Sequence, residues 1–137
     1  KGTFDRILVY SVLHYLPNAE AAREFIYACL SVLNPSGSLM LGDIPNLDRQ
    51  RRFSDSKFGK RFDAEWAERK ATLSPEHSTR DQIFAETERK APYLGDNFIF
   101  KLLADTRRRG MESHVMGQPE GLPMCYSRED VLIWKHD

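Results

Sequence analysis

Phe4-Asp5-Arg6-Ile7-Leu8-Val9-Tyr10-Ser11-Val12-Leu13-His14-Tyr15-Leu16, with its continuation to Asp43, decides the fold. The apolar run from Ile7 to Val12 has the length and β-branched content of a strand buried on both faces. Pro17 and Asn18 signal a turn, and Asn18 suits the N-cap of a helix reaching about Leu33. In that helix Ala22, Phe25, Ile26, Cys29, Leu30 and Leu33 recur at three- and four-residue steps, which gives one face to lay on a sheet. Asn34-Pro35-Ser36-Gly37 then stops the helix, and a second apolar run extends from Ser38 to Gly42. Strand, helix and strand at this spacing predict a βαβ crossover in a parallel sheet. Ligands bind such sheets at the carboxyl ends of the strands, here Tyr10 to Tyr15 and Gly42 to Asn46.

Beyond this unit the character changes. Residues 47–92 are strongly charged and poor in β-branched types, and read as a helical insertion. One helix is expected from Asp55 to Ala71, with Phe58, Phe62 and Trp66 at steps of four. Another, capped by Ser78 or Thr79, runs through Ile83, Phe84 and Thr87 to Lys90. Asp96 then caps a helix from Asn97 to Arg109 that Gly110 ends. Arg107, Arg108 and Arg109 fall in its last turn, where cations favour the helix dipole, so the triplet needs no nucleic acid to explain it. Met111 to Met116 and Asp130 to Lys135 read as strands joined through Gln118-Pro119-Glu120-Gly121-Leu122-Pro123, an antiparallel hairpin at the sheet edge.

Composition narrows the function classes. The 137 residues carry 20 Lys and Arg against 20 Asp and Glu, so no global field recruits nucleic acid or an anionic membrane. No run approaches the ~20 apolar residues of a membrane span. Cys29 and Cys125 lie far apart, and His77, His114 and His136 share no ligand spacing, so no metal site is expected. Free thiols and a cytoplasmic location are the expectation. The chain begins at Lys1 and reaches its first strand almost at once, as a single partial domain over 1–137 with its upstream part elsewhere would.

Phe4-Asp5 before a strand, Leu13-His14-Tyr15-Leu16 after it, Leu33-Asn34-Pro35-Ser36-Gly37 after the helix, and a strand ending in Gly42-Asp43 resemble class I S-adenosylmethionine-dependent methyltransferases. In that family the two strands are the fourth and fifth of seven, and the sheet closes with an antiparallel hairpin after a final helix. The family has Lys-Pro-Gly-Gly where this chain has Asn34-Pro35-Ser36-Gly37. The resemblance implies an α/β fold: the C-terminal half of a Rossmann-like methyltransferase sheet, parallel strands plus a terminal antiparallel hairpin, with the helical insertion above the acceptor side. It implies S-adenosylmethionine as cofactor and a small-molecule acceptor. The family's glycine-rich turn and ribose-binding acid, which hold most of that cofactor, have no counterpart here. The isolated chain is therefore expected to bind the cofactor weakly or not at all.

By the resemblance, Tyr10, Ser11 and Val12 lie where the family's backbone meets the cofactor, although Tyr10 and Val12 would serve equally as strand core. His14 titrates near neutrality and could take a proton from an acceptor. It could also be a residue at the start of a helix, hydrogen-bonded to backbone. Asp43 could orient or deprotonate an acceptor, or bind the Pro45-Asn46 turn. Arg49, Arg51, Arg52, Lys57, Lys60 and Arg61, interleaved with Phe53, Phe58 and Phe62, would suit an anionic acceptor or simply line a solvated helix. A reading from another class is a noncatalytic module that pairs through the exposed edge of its first strand, with another chain or as a homo-oligomer. Half of a nicotinamide dehydrogenase fits less, because the His-Tyr-Leu loop and the hairpin do not suggest it.

Overall fold

The computed structural model describes residues 2–70, 72 and 80–136. Four strands form one mixed sheet in the order β1-β2-β4-β3, where β1 is Phe4–Tyr10, β2 Leu33–Pro45, β3 Met111–Gly117 and β4 Arg128–Lys135. β1 and β2 are parallel, as the crossover requires. β4 runs antiparallel to both β2 and β3, so the hairpin inserts its second strand beside β2 and leaves β3 at the edge.

Helix α1, Ala19–Ser31, connects the parallel pair. Asn18 caps it, its side-chain oxygen accepting from the Ala21 N–H at 2.8 Å. Ala22, Ile26 and Leu30 are its fully buried residues, and they meet Val9, Leu39, Leu41, Val131 and Ile133 from the sheet. Helix α5, Asp96–Arg108, adds Phe98, Ile99, Leu102 and Leu103 to the same core. Each such side chain contributes about 1.5–3 kcal/mol by leaving water. Both helices therefore serve one face of the sheet.

The other face is bare, which corrects the expectation for β1. Of its residues only Val9 is buried, while Leu8 is 67% exposed and Phe4 and Tyr10 about half. In register, Leu8 lies beside Met40 and Met40 beside Leu132, so the second face of the sheet carries apolar side chains with no helix over them among the described residues.

Several boundaries also move. β1 ends at Tyr10, and Val12 instead precedes a short 3-10 turn, Leu13–Tyr15. Leu33 and the Asn34–Gly37 stretch belong to β2 rather than to the end of α1, with Ser36 in the left-handed region at φ 60°. The charged segment after β2 begins with a helix that periodicity missed: α2, Leu47–Asp55, whose cap Asn46 accepts from the Arg49 N–H at 3.0 Å. α3, Lys57–Lys70, starts separately because the Ser56 hydroxyl bonds to the Phe53 carbonyl and to the Gly59 N–H. A Cβ at Gly59 would stand 1.9 Å from the Phe53 carbonyl oxygen, so only glycine lets the two helices meet there. α4, Arg80–Lys90, follows, while the expected Ser78 or Thr79 cap and His77 lie outside the described residues. Gly95, not Asp96, precedes α5. The Asp96 carboxylate instead joins Arg52 and Asn46, and its backbone N–H donates to Asp48.

Candidate active site

The parallel strands end side by side, and both ends break strand geometry. Ser11 and Asp43 each have φ 58°, a left-handed conformation that costs a residue with a Cβ about 1 kcal/mol or more. At Asp43 the cause is a β-bulge. Leu41 pairs with Val131 and Ile44 with Glu129, so Gly42 and Asp43 together face Asp130 alone. The bulge frees the Asp43 N–H from the ladder, and the Asp130 carboxylate accepts it at 2.8 Å. It also turns the Asp43 side chain into the crevice between the strand ends.

There the Asp43 carboxylate gathers three donors. Ser11 Oγ donates to Oδ2 at 2.7 Å, the Arg128 guanidinium to the same oxygen at 2.5 Å, and Gln118 Nε2 to Oδ1 at 3.3 Å. Gln118 reaches Asp130 as well, at 3.2 Å. The Asp43 and Arg128 side chains are only 14% and 12% exposed, so the pair is largely shielded from water. With its oxygens engaged in this way, Asp43 is built to hold the two strand ends and β4 together. It does not bond to the Pro45-Asn46 turn.

His14 sits in the 3-10 turn beside this cluster. Its Nδ1 is buried without a hydrogen-bond partner, so the expected backbone bond at that nitrogen is not made. Burial lowers its pKa below that of a free imidazole. The nearby Arg128 charge adds to this, and Asp43 works against it. The neutral ring is therefore the dominant form at pH 7, and the neutral ring can accept a proton. His14 lines an open cleft of about 110 Å³ with Tyr15, Glu86, Thr87, Lys90 and Arg128. Tyr93 fixes the turn that carries it. The Tyr93 hydroxyl lies 2.9 Å from the Leu13 carbonyl and 3.0 Å from that of Leu16, and burial pushes its pKa up to about 12.

The structure thus brings His14, Ser11 and Asp43 to one crevice, and adds Arg128, Gln118 and Tyr93, which sequence reasoning missed. Tyr10 and Val12 flank the same place in different ways. The Tyr10 ring lies over Gly42, where an added Cβ would come within 2.5 Å of it, and Val12 packs against the core.

No family model matches the chain. A curated relative, chondramide synthase cmdD of Chondromyces crocatus, is 46% identical over 46 residues, which are 34% of this chain and 1% of that protein. One similar solved structure is the O-methyltransferase TomG from Streptomyces achromogenes, involved in tomaymycin synthesis, in complex with SAM. It has a TM-score of 0.43 and 12% identity over 100% of this chain and 42% of that one. Another is an O-methyltransferase family protein from Burkholderia thailandensis, with a TM-score of 0.48 and 18% identity over 99% of this chain and 31% of that one. Both solved structures bear O-methyltransferase names. The chain spans less than half the length of either, and a far smaller share of the curated relative.

The cationic residues expected to greet an anionic acceptor are mostly engaged elsewhere. Arg49 pairs with Glu129, Arg51 with Asp48 and Glu88, Arg52 with Asp96, and Arg61 with Glu65. Phe53, Phe58 and Phe62 close around Tyr126 and the buried Arg80. These residues join α2, α3 and α4 to the loop before β4. No helix among the described residues is long and apolar enough to cross a membrane.

Proposed function

We propose that the chain forms the acceptor side of an S-adenosylmethionine-dependent methyltransferase, with His14 as the group that takes the acceptor's proton. The observation that carries this reading is the crevice at the carboxyl ends of β1 and β2, where a mostly neutral imidazole lines an open cleft beside a braced carboxylate. The sequence motifs around that crevice agree with it. When bound, the cofactor would supply an electrophilic methyl group on a sulfonium. Tyr10, Ser11 and Val12 fit it only as one edge: the Tyr10 ring is half exposed, but the Ser11 hydroxyl is taken by Asp43 and Val12 faces the core. The chain's own part is to exclude water, present the acceptor in line, and accept a proton at His14 from a hydroxyl or amine. Asp43 and Arg128 serve by holding β1, β2 and β4 in place around it. The acceptor is a small molecule, and a cytoplasmic setting suits the two free cysteines.

The test is calorimetric titration of S-adenosylmethionine, first into the 137-residue chain and then into a longer protein that includes the sequence preceding Lys1. Little or no saturable heat is expected from the first. From the second, binding is expected, together with methyl transfer that His14→Gln lowers by about 10²-fold or more. A longer protein that carries a glycine-rich turn yet gives no heat would overturn the reading.

A second reading rests on a different observation. β1 is the edge of the sheet among the described residues, and its Phe4, Leu8 and Tyr10 are exposed. Such an edge offers unpaired backbone groups and apolar side chains to another strand, so the chain would act as an association module through β1.

A further inference from the structure

At the end of the sheet opposite that crevice lies an open cleft of about 450 Å³, within the size range of small-molecule sites. Tyr27 and Leu30 of α1 form one wall, Arg109 and Met111 the turn between α5 and β3, and Lys135 and His136 the end of β4. Its chemistry departs from what the helix dipole alone would produce. Arg107 and Arg108, in the last turn of α5, have partners: the Ser113 carbonyl, 2.6 Å from Arg107 Nη2, and the Asp105 carboxylate, 2.6 Å from Arg108 Nη1. The Arg109 side chain has neither a hydrogen bond nor an ion pair among the described residues, while its backbone N–H donates to the Thr106 carbonyl at 3.1 Å. Its guanidinium carbon lies over the Tyr27 ring of α1, 4.2 Å from the centroid, with the side-chain N–H donors unused among the described residues. Gly110, at φ 78°, turns the chain sharply after it and fixes that direction.

Two further observations point to a ligand. The Tyr27 hydroxyl is buried with no hydrogen-bond partner, an arrangement that folded proteins avoid. Lys135 Nζ reaches the Leu33 carbonyl at 3.1 Å, which leaves two of its three donors free. Leu30 and Met111 supply apolar surface next to these groups. The nearby carboxylate of Glu112 is drawn to His136, 3.4 Å away. We propose that this cleft binds a small organic anion whose carboxylate or phosphate head meets Arg109, Lys135 and the Tyr27 hydroxyl, and whose apolar body rests on Leu30 and Met111. The site is independent of the methyltransferase reading.

Nuclear magnetic resonance titration of the whole chain tests it with benzoate, phenyl phosphate and the uncharged benzyl alcohol. Benzoate or phenyl phosphate is expected to give saturable shifts at the Ser31, Gly110 and Met111 amides, and the tighter of the two tells which head group the site prefers. Arg109→Gln should weaken binding by about tenfold or more. Tyr27→Phe, which keeps the ring under the guanidinium, should weaken it by about three- to tenfold and so decides the matter if the first variant misfolds. The proposal is overturned if neither anion saturates, if benzyl alcohol shifts the same amides equally, or if binding is unchanged in a folded Tyr27→Phe chain.

Discussion

Arg128→Met probes the groups around Asp43 most directly. Methionine keeps much of the aliphatic volume and removes the charge, which strands a carboxylate that is 14% exposed. Breaking a buried ion pair from one side costs about 3–5 kcal/mol. Ser11 and Gln118 still donate to Asp43, and both partners keep some contact with water, so the low end, about 3 kcal/mol, is expected. For a chain of 137 residues that corresponds to a Tm lower by roughly 10 °C. Thermal unfolding followed by circular dichroism at pH 7 reads this. The double variant Asp43→Asn/Arg128→Met should recover part of the loss, because no charge is then left without its partner. The imidazole gives a second readout: removing the Arg128 charge takes away one cause of its lowered pKa, so His14 should titrate at higher pH. A Tm within about 2 °C of the parent chain would refute the account. So would a double variant as damaged as the two single changes combined.

The depressed pKa of His14 also makes stability depend on pH. Between its folded value and the ~6.5 of an unfolded histidine, the unfolded chain binds more protons, so stability rises with pH. The contribution is complete above about pH 6.5 and is lost as the pH falls through the folded value. His14→Gln should therefore flatten the rise in Tm between about pH 5 and 7, and an unchanged pH profile would count against a buried neutral imidazole. Association through β1 predicts that sedimentation finds dimers or larger species, and that Leu8→Lys, which places a charge on the bare face at the edge strand, shifts them toward monomer. A concentration-independent monomer would refute it.

Much of the framework was legible because it is local. Asn18 as a cap, the Ala22-Ile26-Leu30 face, Gly110 as a stop and the two hairpin strands depend on spacing that a linear reading captures. The misreadings have a common cause. Periodicity reports which side chains are apolar but not whether anything covers them, so Leu8 looked buried and stands in the open. α2 was hidden because its buried positions include Gln50 and its cap Asn46, polar residues: Asn46 is satisfied by the distant Asp96 and Glu129, and Gln50 by Ser54 one turn on and by the distant Arg80. The site divides in the same way. Ser11, His14 and Asp43 were found from the strand ends on which they sit. Gln118 and Arg128 lie 75 and 85 residues from Asp43, and no local signal marks them. The bulge that aims Asp43 is likewise a property of its pairing with β4.

The placement of β4 has a consequence for how the molecule comes into being. Although it follows β3 along the polypeptide, it lies between β2 and β3, so on the ribosome β2 has an open border until residues 128–135 emerge. The same segment delivers Arg128 and Asp130, which anchor the strand ends around the crevice. The crevice therefore cannot take shape in a nascent chain ahead of the sheet that carries it, because β4 borders β2 and also supplies the side chains that hold the strand ends.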